Sequence, residues 1–185
     1  MRFLRKEDGE PNMRKSKREI SDTIQIAAVL EGCDTIRVGV ADGGEVYIVP
    51  VSFGYAVSEG KISVFFHGAL EGRKYDLLKK RPRVCVEADR CFGFMENGHG
   101  GLTCDYESVI GWGYADLLGG DEAKKGIRLL LEHCGFPDYR CSPDVTAMTA
   151  VFRVELDTVT GKRRNLRTEK QISSPAGASD LTQRR

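Results

Sequence analysis

The residues of this chain best placed to do chemistry are His67, Arg73 and Lys74, near the end of the run YIVPVSFGYAVSEGKISVFFHGALEGRKYDLLKK, residues 47–80. An imidazole titrates near neutrality, so His67 can give or take a proton. Arg73 and Lys74 open what reads as a short helix through Leu77 and Leu78. A helix N-terminus already carries positive partial charge, so two cations there are unfavourable unless an anion, most usefully a phosphate, lies beside them. Each residue also has a plainer reading. Basic side chains are usually solvated surface charges, and a histidine at a strand end is often only a hydrogen-bonding residue.

The elements that must position them are mostly strands. Val46 to Tyr55 and Lys61 to Phe66 are rich in β-branched and aromatic residues, and Ser58-Glu59-Gly60-Lys61 supplies the turn between them. Pro50 cannot donate to a ladder, which predicts an edge, a bulge or a place where a ligand lies against the strand. Upstream, Thr35 to Val40 reads as a strand joined through Asp42-Gly43 to a partner over Glu45 to Tyr55. Downstream, Arg83 to Ala88, Glu107 to Leu117 and Thr149 to Asp157 complete six strands, a count with few helices that predicts a barrel. Helices are expected from Lys17, with Ser16 and Glu19 as a capping box and Gly32 as a stop, and from Asp121 to about His133. Asn97 to Gly101 reads as a mobile loop; its glycines neither follow a clear strand nor open a helix, so no dinucleotide fingerprint is present there.

Composition limits the function classes. The chain has 185 residues with 28 basic against 27 acidic side chains, so no long-range field recruits nucleic acid or an anionic membrane. No apolar run approaches the roughly 20 residues that span a bilayer. MRFLRKEDGE lacks the apolar core of a signal peptide, and a cytoplasmic location is the expectation. The six cysteines, Cys33, Cys85, Cys91, Cys104, Cys134 and Cys141, are then expected as free thiols. They include no CxxC, and Cys91, His99 and Cys104 have no zinc-finger spacing, so no metal site is expected. Residues 1–13 are expected to be flexible, 14–167 to form the domain, and 168–185, without apolar periodicity, to be a disordered tail.

Five segments in order, KSKREI, EVYIVPVSFGY, FFHGALEGRKYDLLKKRPRVCVEAD, TCDYESVIGWGYADLL with DEAKKGIRLLLEH, and AVFRVELDTVTGKR, resemble the FMN-binding split β-barrel superfamily. The chain is most similar there to the pyridoxamine-phosphate-oxidase-like branch that includes the nitroimidazole-resistance reductases, and strand-HGALEGRK-helix-RPRVCVE is its most specific block. This resemblance implies a mainly β fold and a homodimer holding two FMN molecules at the subunit interface. It implies that Arg73 and Lys74 grip the FMN phosphate, that Val49, Pro50, Val51 and Ser52 run along the flavin ring, and that His67 lies close to it. Ser108 and Gly111 resemble the strand that approaches the flavin from a neighbouring position, while Trp112 is read equally as core or as a stacking residue. The implied activity is FMN-dependent oxidation or reduction of a small soluble substrate, with NAD(P)H or another reductant, nitroaromatic reduction being one form. Pyridoxamine-phosphate oxidation itself fits less well, because the C-terminal extension with its substrate-gripping Arg and His is missing. The alternative from another class is a non-catalytic carrier of flavin, haem or deazaflavin on the same barrel.

Overall fold

The computed structural model describes residues 15–143 and 147–164. Its strands are β1 (Glu19–Ile20), β2 (Ile36–Asp42), β3 (Glu45–Val51), β4 (Phe53–Ser58), β5 (Lys61–Ala69), β6 (Arg83–Glu96), β7 (Leu102–Leu118) and β8 (Thr149–Arg164). Its helices are α1 (Thr23–Glu31), α2 (Arg73–Leu78) and α3 (Gly120–His133). The strands form one antiparallel sheet in the order β3-β2-β6-β7-β8-β5-β4, with β1 added on β8. The two ends of that path are β3 and β4, yet only Ser52 separates them in the chain. Two Cα steps cover at most about 7 Å, so the sheet curls until its ends meet, and the barrel is split where the chain passes from β3 to β4.

That split corrects the expectation of one continuous strand from Glu45 to Tyr55. Residues up to Val51 pair with β2, and residues from Phe53 pair with β5. The apolar run gave no sign of the change of partner, and with β1 it raises the count from six strands to eight. Pro50 lies opposite Arg37 on the terminal strand β3, where its missing N–H faces no further ladder. Both predicted hairpin turns are present. Gly43 and Gly44 have φ of 59° and 96°, and Glu59 and Gly60 have φ of 52° and 76°, the doubly positive geometry that suits the strand twist.

Alternation places Val38, Val40, Val64, Phe66, Val84, Val86, Phe152 and Val154 inside, all buried. Phe66 stacks on Phe152 at 5.6 Å between ring centroids. Each such side chain contributes about 1.5–3 kcal/mol on leaving water. Helix α1 adds Ile26, Val29 and Leu30 to the same core. It starts at Thr23 rather than Lys17: the Asp22 side chain accepts the Gln25 N–H at 2.8 Å, whereas Ser16–Arg18 is a single 3-10 turn. Ile20, expected in the helix, instead pairs with Gly161, and a side-chain carbon at Gly161 would come within 2.9 Å of the Ile20 Cβ. Helix α3 begins at Gly120 with Gly119 as its cap residue, and Asp121 sits in its first turn beside Lys124. No described helix is long and apolar enough to cross a membrane. The expected flexible N-terminus, 1–13, and the tail, 168–185, lie outside the described residues.

Candidate functional site

The split itself builds the site. Phe53 is opposite Phe66, the last pair of β4 and β5, so Ser52 and His67 each lie one residue beyond that pair, at the point where β4 stops covering β5. His67, Gly68 and Ala69 continue β5 along β8, opposite Val151, Ala150 and Thr149. The uncovered edge is met by Lys74, whose ammonium donates to the His67 carbonyl at 3.0 Å. Gly68 makes the approach possible, because a Cβ there would stand 2.6 Å from both Lys74 Cε and Nζ. Gly72, with φ of 95°, turns the chain into α2 at Arg73, and no side chain caps that helix. Ser52, His67 and Lys74 therefore converge at one end of the barrel, with Arg73 beside them.

The two cations differ in their surroundings. Arg73 donates through Nε at 3.0 Å and Nη2 at 2.8 Å to the Asp42 carboxylate, lies 3.5 Å from Glu45, and rests 4.9 Å over the Tyr47 ring. Asp42 raises its pKa further. Lys74 is half-buried, pairs with no carboxylate among the described residues, and burial lowers its pKa. An ammonium has three donors, so after the His67 carbonyl two remain for a ligand. The His67 side chain is open to water, yet the protein packed around it, and then the Lys74 charge, lower its pKa below the ordinary 6.5. The neutral imidazole is the form this setting favours near pH 7.

Of the other expected residues, Pro50 and Ser52 are exposed, Val51 is buried, and Val49 is half-buried against the core. Ser108 and Gly111 are not brought to them within one chain. Val49 shares a row with Val38, Val86 and Gly111, which puts three strand spacings, about 14 Å, between its ends. Gly111 is buried, and a Cβ there would stand 2.8 Å from a Leu156 methyl; half-buried Ser108 lies between Asp89 and Lys162. His99 is exposed at the β6–β7 turn, where the Asn97 side chain accepts the His99 and Gly101 N–H groups. Among the described residues no three His, Cys, Asp or Glu side chains are grouped to hold a metal.

Two features escaped the sequence reading. Asp42 and Glu45 as partners of Arg73 depend on how the β2–β3 hairpin meets α2, although the Asp-Gly turn itself was legible. The second is an apolar groove of about 570 Å³ on the outer sheet face, floored by Ile48, Gly39, Cys85 and Trp112 and rimmed by Arg37 and Arg83. Val46 and Ile48 are 71% and 61% exposed on it. Trp112 thus lines an outer surface instead of the barrel interior.

An antiparallel sheet curled into a barrel and parted between β3 and β4, with its helix after β5, defines the split-barrel class. The pyridoxamine 5'-phosphate oxidase family model matches residues 22–163, and the chain belongs to that family. The fold is shared with a putative 5-nitroimidazole antibiotic resistance protein from Bacteroides thetaiotaomicron, at TM-score 0.69 and 23% identity over 78% of this chain and 85% of that one. It is shared with a flavocytochrome from Azotobacter vinelandii at TM-score 0.68 and 19% identity, covering 94% and 86%. An FAD and heme binding protein from Mycobacterium smegmatis has TM-score 0.66 and 16% identity, covering 90% and 89%. Comparison with curated proteins gives no match.

Proposed function

We propose that the protein is an FMN-dependent oxidoreductase acting on a small soluble molecule, as a homodimer. The observation that carries this reading is the convergence of exposed Ser52, His67 and an under-used Lys74 ammonium beside an uncapped helix start. These residues fit a phosphate-bearing planar cofactor. Lys74, Arg73 and the free N–H groups opening α2 suit a phosphate dianion. The β3 stretch Val49, Pro50, Val51 and Ser52 offers a strand edge to the ring, and Pro50 leaves that edge without one donor. Bound FMN would supply hydride or electron transfer.

The chain's own residues then have separate tasks. Lys74 and Arg73 anchor the phosphate end, and Ser52 and the β3 backbone orient the ring. His67, kept neutral by its surroundings, holds a hydrogen bond to the substrate and takes or returns a proton at the ring nitrogen facing it. The groove over Ile48, Gly39, Cys85 and Trp112 receives a second copy of this chain, which covers the exposed Val46 and Ile48 and brings its own Ser108 strand toward the cofactor. The nitroimidazole-resistance protein among the structural neighbours supports nitroaromatic reduction as one activity. The haem-binding neighbours favour the second reading, a cofactor carrier.

The test is a flavin fluorescence titration with FMN and riboflavin, paired with light scattering. Tighter binding of FMN and twice the chain mass are expected. Equal affinity for the two flavins, or a monomer that binds FMN tightly, would refute the site or the shared interface respectively.

A further inference from the structure

We propose that Cys91 and Cys104 form a peroxide-responsive dithiol, a modification site that closes to a disulfide across the β6–β7 hairpin. The two sulfurs are 2.9 Å apart, with one thiol donating to the other. The register explains why. Cys91 is opposite Tyr106 and Gly93 opposite Asp105, so Phe92 is an extra residue bulged out of the ladder. The bulge sets Cys91 diagonally across from Cys104 on the same sheet face, and a modest side-chain rotation closes the sulfurs to the bonded distance of about 2.05 Å.

Access and proton placement favour one order of events. Cys91 is exposed and Cys104 half-buried. Peroxide in solvent therefore reaches the Cys91 sulfur first, which makes Cys91 the nucleophile, while the hydrogen bond to Cys91 raises the Cys104 pKa and leaves Cys104 as the resolving thiol. Cys33 stands in contrast: it is buried, its thiol donates to the Val29 carbonyl at 3.2 Å, and burial pushes its pKa up to about 11.

The oxidant is hydrogen peroxide. The Cys91 thiolate attacks one peroxide oxygen, the S–O bond forms as O–O breaks, and with one proton taken up the first water leaves. The Cys104 sulfur then attacks the sulfenic sulfur; S–S forms, S–O breaks, and the Cys104 proton leaves on the second water. Two electrons pass from the sulfurs to the peroxide, and thiol–disulfide exchange with a reducing dithiol reverses the change.

The test treats the full chain with hydrogen peroxide, blocks remaining thiols with iodoacetamide, and cleaves after Glu96 to part the two cysteines. We expect their fragments to stay joined until dithiothreitol is added, with alkylation of both falling about tenfold while Cys33 is unchanged. In Cys104→Ser, Cys91 should stop at a sulfenic acid trapped by dimedone. The proposal is overturned if both cysteines remain alkylatable, if the bridge joins two chains, or if Cys104→Ser leaves Cys91 unreactive toward peroxide.

Discussion

Replacing Lys74 by Met separates the phosphate grip from everything else the site does. The thioether keeps an unbranched stem over Gly68 but removes the ammonium. In the free protein the loss is one charge-assisted bond, the 3.0 Å contact to the His67 carbonyl, in a half-buried setting. That costs about 1.5 kcal/mol of stability, the low end for charged donors in a half-exposed setting. FMN loses the two donors left over, and one of them well directed at phosphate is worth about 2 kcal/mol, or roughly 30-fold in dissociation constant. Riboflavin, with the same ring and no phosphate, should bind the variant as it binds the parent. Removing the Lys74 charge should also raise the His67 pKa, since that ammonium is one of the two causes lowering it. Fluorescence titration with both flavins reads the first effect and imidazole NMR the second. Equal losses for FMN and riboflavin would place the phosphate elsewhere.

Further outcomes follow from neighbouring contacts. Asp42→Asn releases Arg73 from its carboxylate and removes a negative charge near the phosphate, so FMN binding should tighten a few-fold, more at low salt, with riboflavin unmoved; weaker FMN binding would contradict this. His67→Asn should retain FMN but lower turnover by about 100-fold or more, and normal turnover would make the histidine structural. For pH, the folded His67 pKa lies below 6.5, so between those values the unfolded chain binds more protons and stability rises with pH. His67→Asn should flatten the denaturant midpoint across that window, and an unchanged slope would show that His67 does not titrate there as described. Gly54→Ala should cost about 1–3 kcal/mol, because its Cβ would stand 2.3 Å from the Leu129 carbonyl carbon, backbone that cannot step aside, and an unchanged melting temperature would refute the close approach.

Much of the barrel was readable because local chemistry and tertiary demand agree. The hairpin turns fall at Gly43-Gly44, one residue past Asp42-Gly43, and at Glu59-Gly60, where glycine supplies positive φ that local sequence announces, and alternation along Thr149 to Asp157 marks its inward side chains. His67, Arg73 and Lys74 were legible for the same reason, since strand end, glycine and helix start follow one another in sequence. What escaped reading depends on closure. Ser52 carries no breaker signal, and only the meeting of the sheet's ends makes it the split. Asp42 reaches Arg73 from the β2–β3 hairpin, so of two cations that read alike Arg73 is held by a carboxylate while Lys74 bonds a main-chain carbonyl. The capping box at Ser16 failed because Asp22 offers a better cap and Ile20 gains more by pairing beside Gly161. The Cys91–Cys104 contact needed a bulge that no spacing rule announces.

The central claim, an FMN-dependent oxidoreductase, is tested most directly by anaerobic spectroscopy of the FMN-loaded protein. Addition of NAD(P)H or dithionite should bleach the flavin bands, and a nitroaromatic acceptor should restore them at a rate that His67→Asn reduces. A protein that takes up no FMN at saturating concentration, or that holds haem and shows a Soret band in its place, would contradict the account.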